Sequence, residues 1–209
     1  MVVAYEQRLK DKPQWAWRES GMHFEDESEV QKTLRRITQR LHDLDISYAL
    51  VGGMAMFRHG YRRYTEDVDL LVTPASLEKI HAELDGLGYL PPFRGSKHLR
   101  DTTTGVKVEF LTTGGFPGDG KEKPVVFPDP SKVAVEIDGV QVLGLPTLLE
   151  LKLASGMSNV TRAKDIGDAT ELIRVLEIPR DMAEKLNPYV REKFLELWDA
   201  LAAEPDELP

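Results

Sequence analysis

Apolar positions along the chain alternate between helix-like and strand-like spacing. From about Asp26, Val30, Leu34, Ile37, Leu41 and Leu44 recur every three or four residues, which predicts one buried helix face. Asp26 or Ser28 is placed to cap that helix. ISYALV (46–51) is a run of β-branched and aromatic residues and predicts a buried strand. Gly52-Gly53 ends it, and MAMFRHG predicts a short helix closed by Gly60. DVDLLV (67–72) predicts the second strand. Pro74 opens a helix with Leu77, Ile80, Leu84 and Leu87 inward, and Gly88 stops it. Short strands are expected near 89–93 and 97–101, then GVKVEFL (105–111), VVF, VAVEI and VQVLG. Asp138-Gly139 is a hairpin signal between the last two.

After Leu145-Pro146 the period turns helical over 146–156, 161–177 and 180–202. The stripes are Leu148, Leu149, Leu151 and Leu153; then Ile166, Ala169, Ile173 and Leu176; then Met182, Leu186, Tyr189, Phe194 and Leu197. Residues 1–25 hold Trp15 and Trp17 but no clear period, so an irregular arm packed on the body is expected. The tail AAEPDELP is polar and reads as frayed. The layout is α/β (α+β): an arm (1–25), a core (26–144) and a helical C-terminal region (145–209).

Composition narrows this layout. An apolar fraction of 41% in 209 residues is enough for a core. No stretch reaches the roughly 18–20 apolar residues of a membrane span. The start of the chain has no apolar segment with a cleavage site. With no cysteine, disulfides, zinc-thiolate sites and thiol nucleophiles are excluded, and a cytoplasmic location is the expectation. A net charge of −8 argues against broad, non-specific nucleic-acid binding. It leaves room for local basic clusters at Arg58, His59, Arg62 and Arg63, and more loosely at Arg94, Lys97, His98 and Arg100.

The chemistry concentrates in LVGGMAMFRHGYRRYTEDVDLLV (50–72). Alternation along a strand sends Asp67 and Asp69 to one face and Val68, Leu70 and Val72 to the other. Two carboxylates at i and i+2 lie roughly 6–7 Å apart and repel unless a cation joins them. In 105–111 the layout repeats, with Val106, Val108 and Phe110 on the apolar face and Lys107 and Glu109 opposite. If the two strands are neighbours, Glu109 joins the pair. Three carboxylates suit Mg²⁺, which prefers hard oxygen ligands together with substrate phosphates. Gly52 and Gly53, between a strand and a helix, allow close approach of a phosphate. Arg63 and Thr65 stand ready to position a triphosphate.

In this order the residues resemble the nucleotidyltransferase superfamily of the polymerase-beta type. The pattern is Val51-Gly52-Gly53, thirteen residues, Asp67-Val68-Asp69, and later Val108-Glu109-Phe110. The resemblance implies a mixed sheet flanked by helices, followed by a helical part. It implies Asp67 and Asp69 as metal ligands, and Gly52 and Gly53 at the triphosphate. Glu109 would be the third carboxylate, which orients or deprotonates the acceptor hydroxyl; aspartate is commoner there. LGLPTLLELKLASGMSNVTRAKDIGDATELI (143–173) is similar to the C-terminal motif of AbiEii-type toxins, the abortive-infection and type IV toxin–antitoxin nucleotidyltransferases. A lysine in a leucine-rich helix, Lys152, precedes Arg162, Lys164, Asp165 and Asp168. This implies Lys152 as a nucleotide-phosphate contact and Asp165 as a further active-site acid. Arg63-x-Thr65-x-Asp67 suits the same branch.

Plainer roles stand beside these. Lys152 can snorkel from an amphipathic helix, and Lys164, Asp165 and Asp168 can form solvated pairs. His98 is a lone histidine near the acceptor side. The Gly-rich stretch 112–123 reads as a mobile hairpin connection with lid potential; it lacks the ending of a P-loop. Trp15 and Trp17 read as packing anchors. The function expected is Mg²⁺-dependent transfer of a nucleoside monophosphate from an NTP to an acceptor hydroxyl. A tRNA 3′ end, with a partner antitoxin, is what the toxin resemblance implies. A small-molecule acceptor, as in antibiotic nucleotidyltransferases, or a protein acceptor is the alternative, and a non-catalytic NTP-binding module is a second one.

Overall fold

The structure, a computed structural model, describes residues 3–203; most of the tail expected to fray lies outside the described residues. Strands β1 (Ala49–Val51), β2 (Asp67–Val72), β3 (Tyr89–Leu90), β4 (His98–Asp101), β5 (Lys107–Thr112), β6 (Ala134–Ile137) and β7 (Val140–Leu143) form one seven-stranded sheet. Its order is β3-β4-β5-β2-β1-β7-β6. The sheet is mixed: β2 pairs parallel with β5 and antiparallel with β1, and β1 pairs parallel with β7. Central strands must be apolar on the covered face, and Leu50, Val68, Leu70, Val108, Phe110 and Val142 are fully buried.

Helices α1 (Tyr5–Asp11), α2 (Pro13–Phe24), α3 (Glu29–Asp43), α4 (Gly52–Arg58), α5 (Pro74–Leu84) and α6 (Pro130–Val133) accompany the sheet. Helices α7 (Leu145–Ser158), α8 (Ala163–Val175) and α9 (Pro188–Ala202) follow it. The stripe Val30, Leu34, Ile37 and Leu41 of α3 is fully buried. Ser28 caps α3 by accepting a hydrogen bond from the Gln31 amide, which leaves Asp26 outside that role. Among the described residues, no helix is long and apolar enough to cross a membrane.

Contacts divide the chain into two compact units. The first takes the chain to Arg58, then Arg62–Thr113 and Pro128–Leu143; the second takes His59–Tyr61, Gly114–Phe127 and the chain from Gly144. The first therefore holds the whole sheet, and the second the C-terminal helices.

Several local expectations are corrected. The N-terminal arm is helical, not irregular: α1 and α2 cover most of it, with Pro13 at the first turn of α2. Its apolar period is weak because α2 buries Glu19 and His23 while Trp17 stays 81% exposed. Helix α5 ends at Leu84, so Leu87 is exposed rather than inward. VVF is not a strand; Phe127 exchanges backbone hydrogen bonds with Gly114 and Gly115 instead. The expected helix over 180–202 is broken. A 3-10 turn covers Arg180–Lys185, and α9 starts anew at Pro188, whose missing N–H suits a first turn. Asp138 and Gly139 both have positive φ, the backbone that a tight hairpin needs.

Candidate active site

Asp67 and Asp69 interrupt an apolar strand because they occupy the face of β2 that its buried residues leave open. The register aligns Asp69 with Glu109 and Asp67 with Lys107 on β5. Asp67, Asp69 and Glu109 each offer an oxygen, all within 4.8 Å of one another, and all three are half-buried. The expectation that β5 lies beside β2 holds, and the structure brings the three acids together.

Gly52 and Gly53 fit against these acids. Gly52 has φ +63°, and a Cβ there would lie 2.0 Å from Asp69 Oδ2. A Cβ on Gly53 would lie 2.8 Å from the side chain of Thr65 and 3.3 Å from Arg63 Nη2. Close approach of the start of α4 to the Asp69 carboxylate thus requires Gly52, and its close approach to Thr65 requires Gly53. Thr65 is buried, and its hydroxyl donates to Asp67 Oδ1 at 3.0 Å. It fixes the carboxylate's rotamer.

The segment that leads into β2 is anchored by α1 and α2. The hydroxyls of Tyr64 and Tyr5 share a hydrogen bond, and Tyr5 donates to Glu19 at 3.1 Å. Burial raises the Tyr64 hydroxyl to about 12 and pushes that of Tyr5 higher still, so both stay protonated. Burial also raises the Glu19 carboxyl. Glu6 of α1 takes a bidentate bond from Arg100, at 2.9 and 2.7 Å.

These pairings change the picture of the basic clusters. Arg58 is committed to Asp26 at 3.2 Å and Asp138 at 3.6 Å, with only a tenth of its side chain exposed. Arg100 is committed to Glu6. Arg94 and Lys97 remain on the surface. His98 pairs in register with Glu109 across β4 and β5, which puts it on the same face as the acids.

The residue whose part sequence reasoning missed is Lys107. Its ammonium lies 2.8 Å from Glu109 and 3.5 Å from Asp67. Burial acts to lower its pKa, but Glu109, Asp67 and Asp69 outweigh that, and the net direction is up. The signal was present, because Lys107 and Glu109 at i and i+2 share a face.

The second unit holds a separate polar cluster. Lys152 of α7 bonds Asp165 at 2.7 Å and Asp168 at 2.6 Å, both on α8. Ser155 donates to the other oxygen of Asp165 at 2.7 Å, and Arg162 lies 3.8 Å away. Burial acts to raise the Asp165 carboxyl, but Lys152, Ser155 and Arg162 hold it below its ordinary value. Lys164, by contrast, is exposed. The motif residues Lys152, Arg162, Asp165 and Asp168 thus converge. The Gly-rich loop is pinned to this unit rather than free. A Cβ on Gly118 would lie 2.8 Å from the Ser155 carbonyl, Arg162 donates to the Gly118 carbonyl, and Lys123 bonds Asp119 and the Pro117 carbonyl at 2.6 Å.

The donor set of the sheet site fits Mg²⁺: carboxylate oxygens only, convergent and partly open to solvent. Asp67, Asp69 and Glu109 are the residues that would hold it.

No protein-family model matches the chain, and no curated protein matches it by sequence. Solved structures match it in fold. The solution structure of the antibiotic-resistance factor ANT(2″)-Ia is 16% identical, covering 82% of this chain and 95% of that one, with a TM-score of 0.53. The crystal structure of ANT(2″)-Ia in complex with adenylyl-2″-tobramycin is 13% identical, covering 82% and 98%, with a TM-score of 0.50. A protein from Thermotoga maritima, described as a candidate nucleotidyltransferase, is 20% identical, covering 65% and 89%, with a TM-score of 0.47. The sheet and its helices share the fold of ANT(2″)-Ia.

Proposed function

We propose that this chain is an Mg²⁺-dependent nucleotidyltransferase. The observation that carries the reading is the convergence of Asp67, Asp69 and Glu109, with Gly52 pressed against Asp69. Bound there, Mg²⁺ supplies charge neutralisation for the reacting phosphates and acidifies the acceptor hydroxyl. Asp67, Asp69 and Glu109 would hold it, and Thr65 keeps Asp67 in position. The backbone of Gly52 and Gly53 and the Arg63 guanidinium receive the triphosphate. Glu109 orients the acceptor hydroxyl and takes its proton. The acceptor oxygen bonds to the α-phosphorus as the bond to pyrophosphate breaks. Lys152, as a nucleotide-phosphate contact, and Asp165, as a further acid, complete the proposed set; their shared cluster supports treating them together.

For the acceptor we propose an RNA end, with a tRNA 3′ end foremost. Exposed Phe93, Arg94 and Lys97 precede His98, which pairs in register with Glu109. An aromatic platform with cations suits a single-stranded, anionic acceptor. The order Lys152, Arg162, Asp165, Asp168 supports the toxin branch, and with it an antitoxin protein that silences the enzyme. A small-molecule acceptor is the second reading. It is supported by the net charge of −8 and by the bound adenylyl-tobramycin of a structural neighbour.

The test supplies Mg²⁺ and each α-labelled NTP with total tRNA, with tobramycin or with neither. Label on tRNA supports the first reading and identifies the base. Label on tobramycin moves the assignment to the second. No label with any acceptor, but metal-dependent NTP binding, would replace both with a binding module.

A further inference from the structure

Lys107 is a cation set among the acids of the sheet site, in contact with Glu109 and Asp67, and nothing in the reaction described above uses it. It is placed there by the fold. Lys107 and Glu109 stand at i and i+2 on β5, so their side chains leave the same face. The register aligns Lys107 with Asp67 on β2, so its ammonium reaches both strands at once. At 2.8 Å from Glu109 and 3.5 Å from Asp67, it draws on carboxylate oxygens that a metal would need. Three carboxylates within 4.8 Å of one another are mutually repulsive without a counter-ion.

We propose that Lys107 is a built-in counter-ion for Glu109 and Asp67 of the carboxylate triad, and that a divalent cation exchanges with it when the site loads. The proposal rests on the reading that Asp67, Asp69 and Glu109 take a divalent metal.

Two features make exchange feasible. The side chains of Lys107, Asp67 and Glu109 are 30%, 31% and 39% exposed, so the ammonium can withdraw into water. Its four-carbon stem is flexible, and an ammonium is strongly hydrated. An ammonium and a divalent cation also repel at this spacing, so the two do not share the oxygens. The pair therefore holds the site together before loading and opposes loading afterwards. The displaced species is a cation, and the exchange is one of charge for charge.

The experiment measures Mn²⁺ affinity by electron paramagnetic resonance and thermal midpoints in EDTA and in Mg²⁺. It uses the full chain as wild type, Lys107→Met, Lys107→Arg and Asp69→Asn. Lys107→Met is expected to bind Mn²⁺ about tenfold more tightly, a modest gain because ion pairs this exposed are screened. Its midpoint in EDTA falls, and Mg²⁺ raises it by more than it raises wild type. Lys107→Arg, which keeps the charge, returns the affinity to near wild type. Unchanged or weaker Mn²⁺ binding by Lys107→Met, with wild-type binding that Asp69→Asn abolishes, would overturn the counter-ion role and leave the metal site standing. No Mn²⁺ binding by wild type or by Lys107→Met would remove the metal site itself, and the proposal with it.

Discussion

Two lysines in this chain each sit between carboxylates. Lys107 faces Asp67 and Glu109 on the sheet, and Lys152 faces Asp165 and Asp168 between two helices. The charges are alike and the burial is not. Around Lys107 about a third of each side chain is exposed; around Lys152 the figures are 13%, 15% and 6%. A half-exposed pair is screened and easily exchanged. A buried pair is costly to break, because the partner left behind is an uncompensated charge. The sheet cluster also has a third acid and a glycine pressed against it. The helical cluster closes on itself: Ser155 takes the remaining oxygen of Asp165. Both clusters hold a lysine, but the one on the sheet is the more exposed and therefore the more readily exchanged.

The sharpest way to break this contrast is Asp69→Ala. If Asp69 holds the metal as proposed, its loss removes several kcal/mol of transition-state stabilisation, so activity should fall about a thousandfold or more. The urea midpoint should move little, because Asp69 is not a core residue. A large stability loss with activity retained would reverse the roles of the two clusters.

Next in size is Lys152→Met, which should cost about 3–5 kcal/mol of stability by taking the ammonium away from two largely buried acids. The same change at Lys107, measured in EDTA, should cost less than about 1 kcal/mol. Equal costs would mean that burial does not separate the sites.

Gly52→Ala comes third. The new Cβ meets Asp69 Oδ2 and requires a backbone with φ +63°. A loss of about 1–3 kcal/mol is expected, together with weaker Mn²⁺ binding. Stability loss without any change in metal affinity would mean that Asp69 simply moves aside.

The smallest effect is the pH dependence of the helical cluster. The Asp165 carboxyl is held below its ordinary value in the folded chain. As pH falls, the unfolded chain takes up that proton first. The stabilisation is therefore fully present above about pH 5 and fades as pH drops below about 4. The stability difference between wild type and Asp165→Asn should shrink over that range, and the shrinkage should disappear in a Lys152→Met background. Urea titrations at several pH values read this directly.

The contrast also explains what was legible in the sequence. The alternation of DVDLLV and VKVEFL revealed two sheet-centre strands and which side chains leave their open face, because that information is local. The pairing of Asp69 with Glu109 needed only the guess that the strands are neighbours. That Gly52 is required by Asp69 was not legible, since the contact spans two elements and depends on their approach. Lys107 was visible as a residue on the open face, but its partner Asp67 lies across the register on another strand. The N-terminal helices escaped for a different reason. They fold around Glu19, Tyr5 and Tyr64, a polar network that leaves little apolar periodicity to detect. Arg58 read as a free cation because Asp26 and Asp138, its partners, are remote in the chain.

Comparing α-labelled with γ-labelled NTP in the same reaction tests the central claim most directly. With Mg²⁺ and the acceptor that accepts label, wild type should place the α-label on the acceptor and release the γ-label as pyrophosphate. Asp69→Asn should do neither. Finding the γ-label on the acceptor, or equal transfer by Asp69→Asn, would contradict nucleotidyl transfer at this carboxylate site.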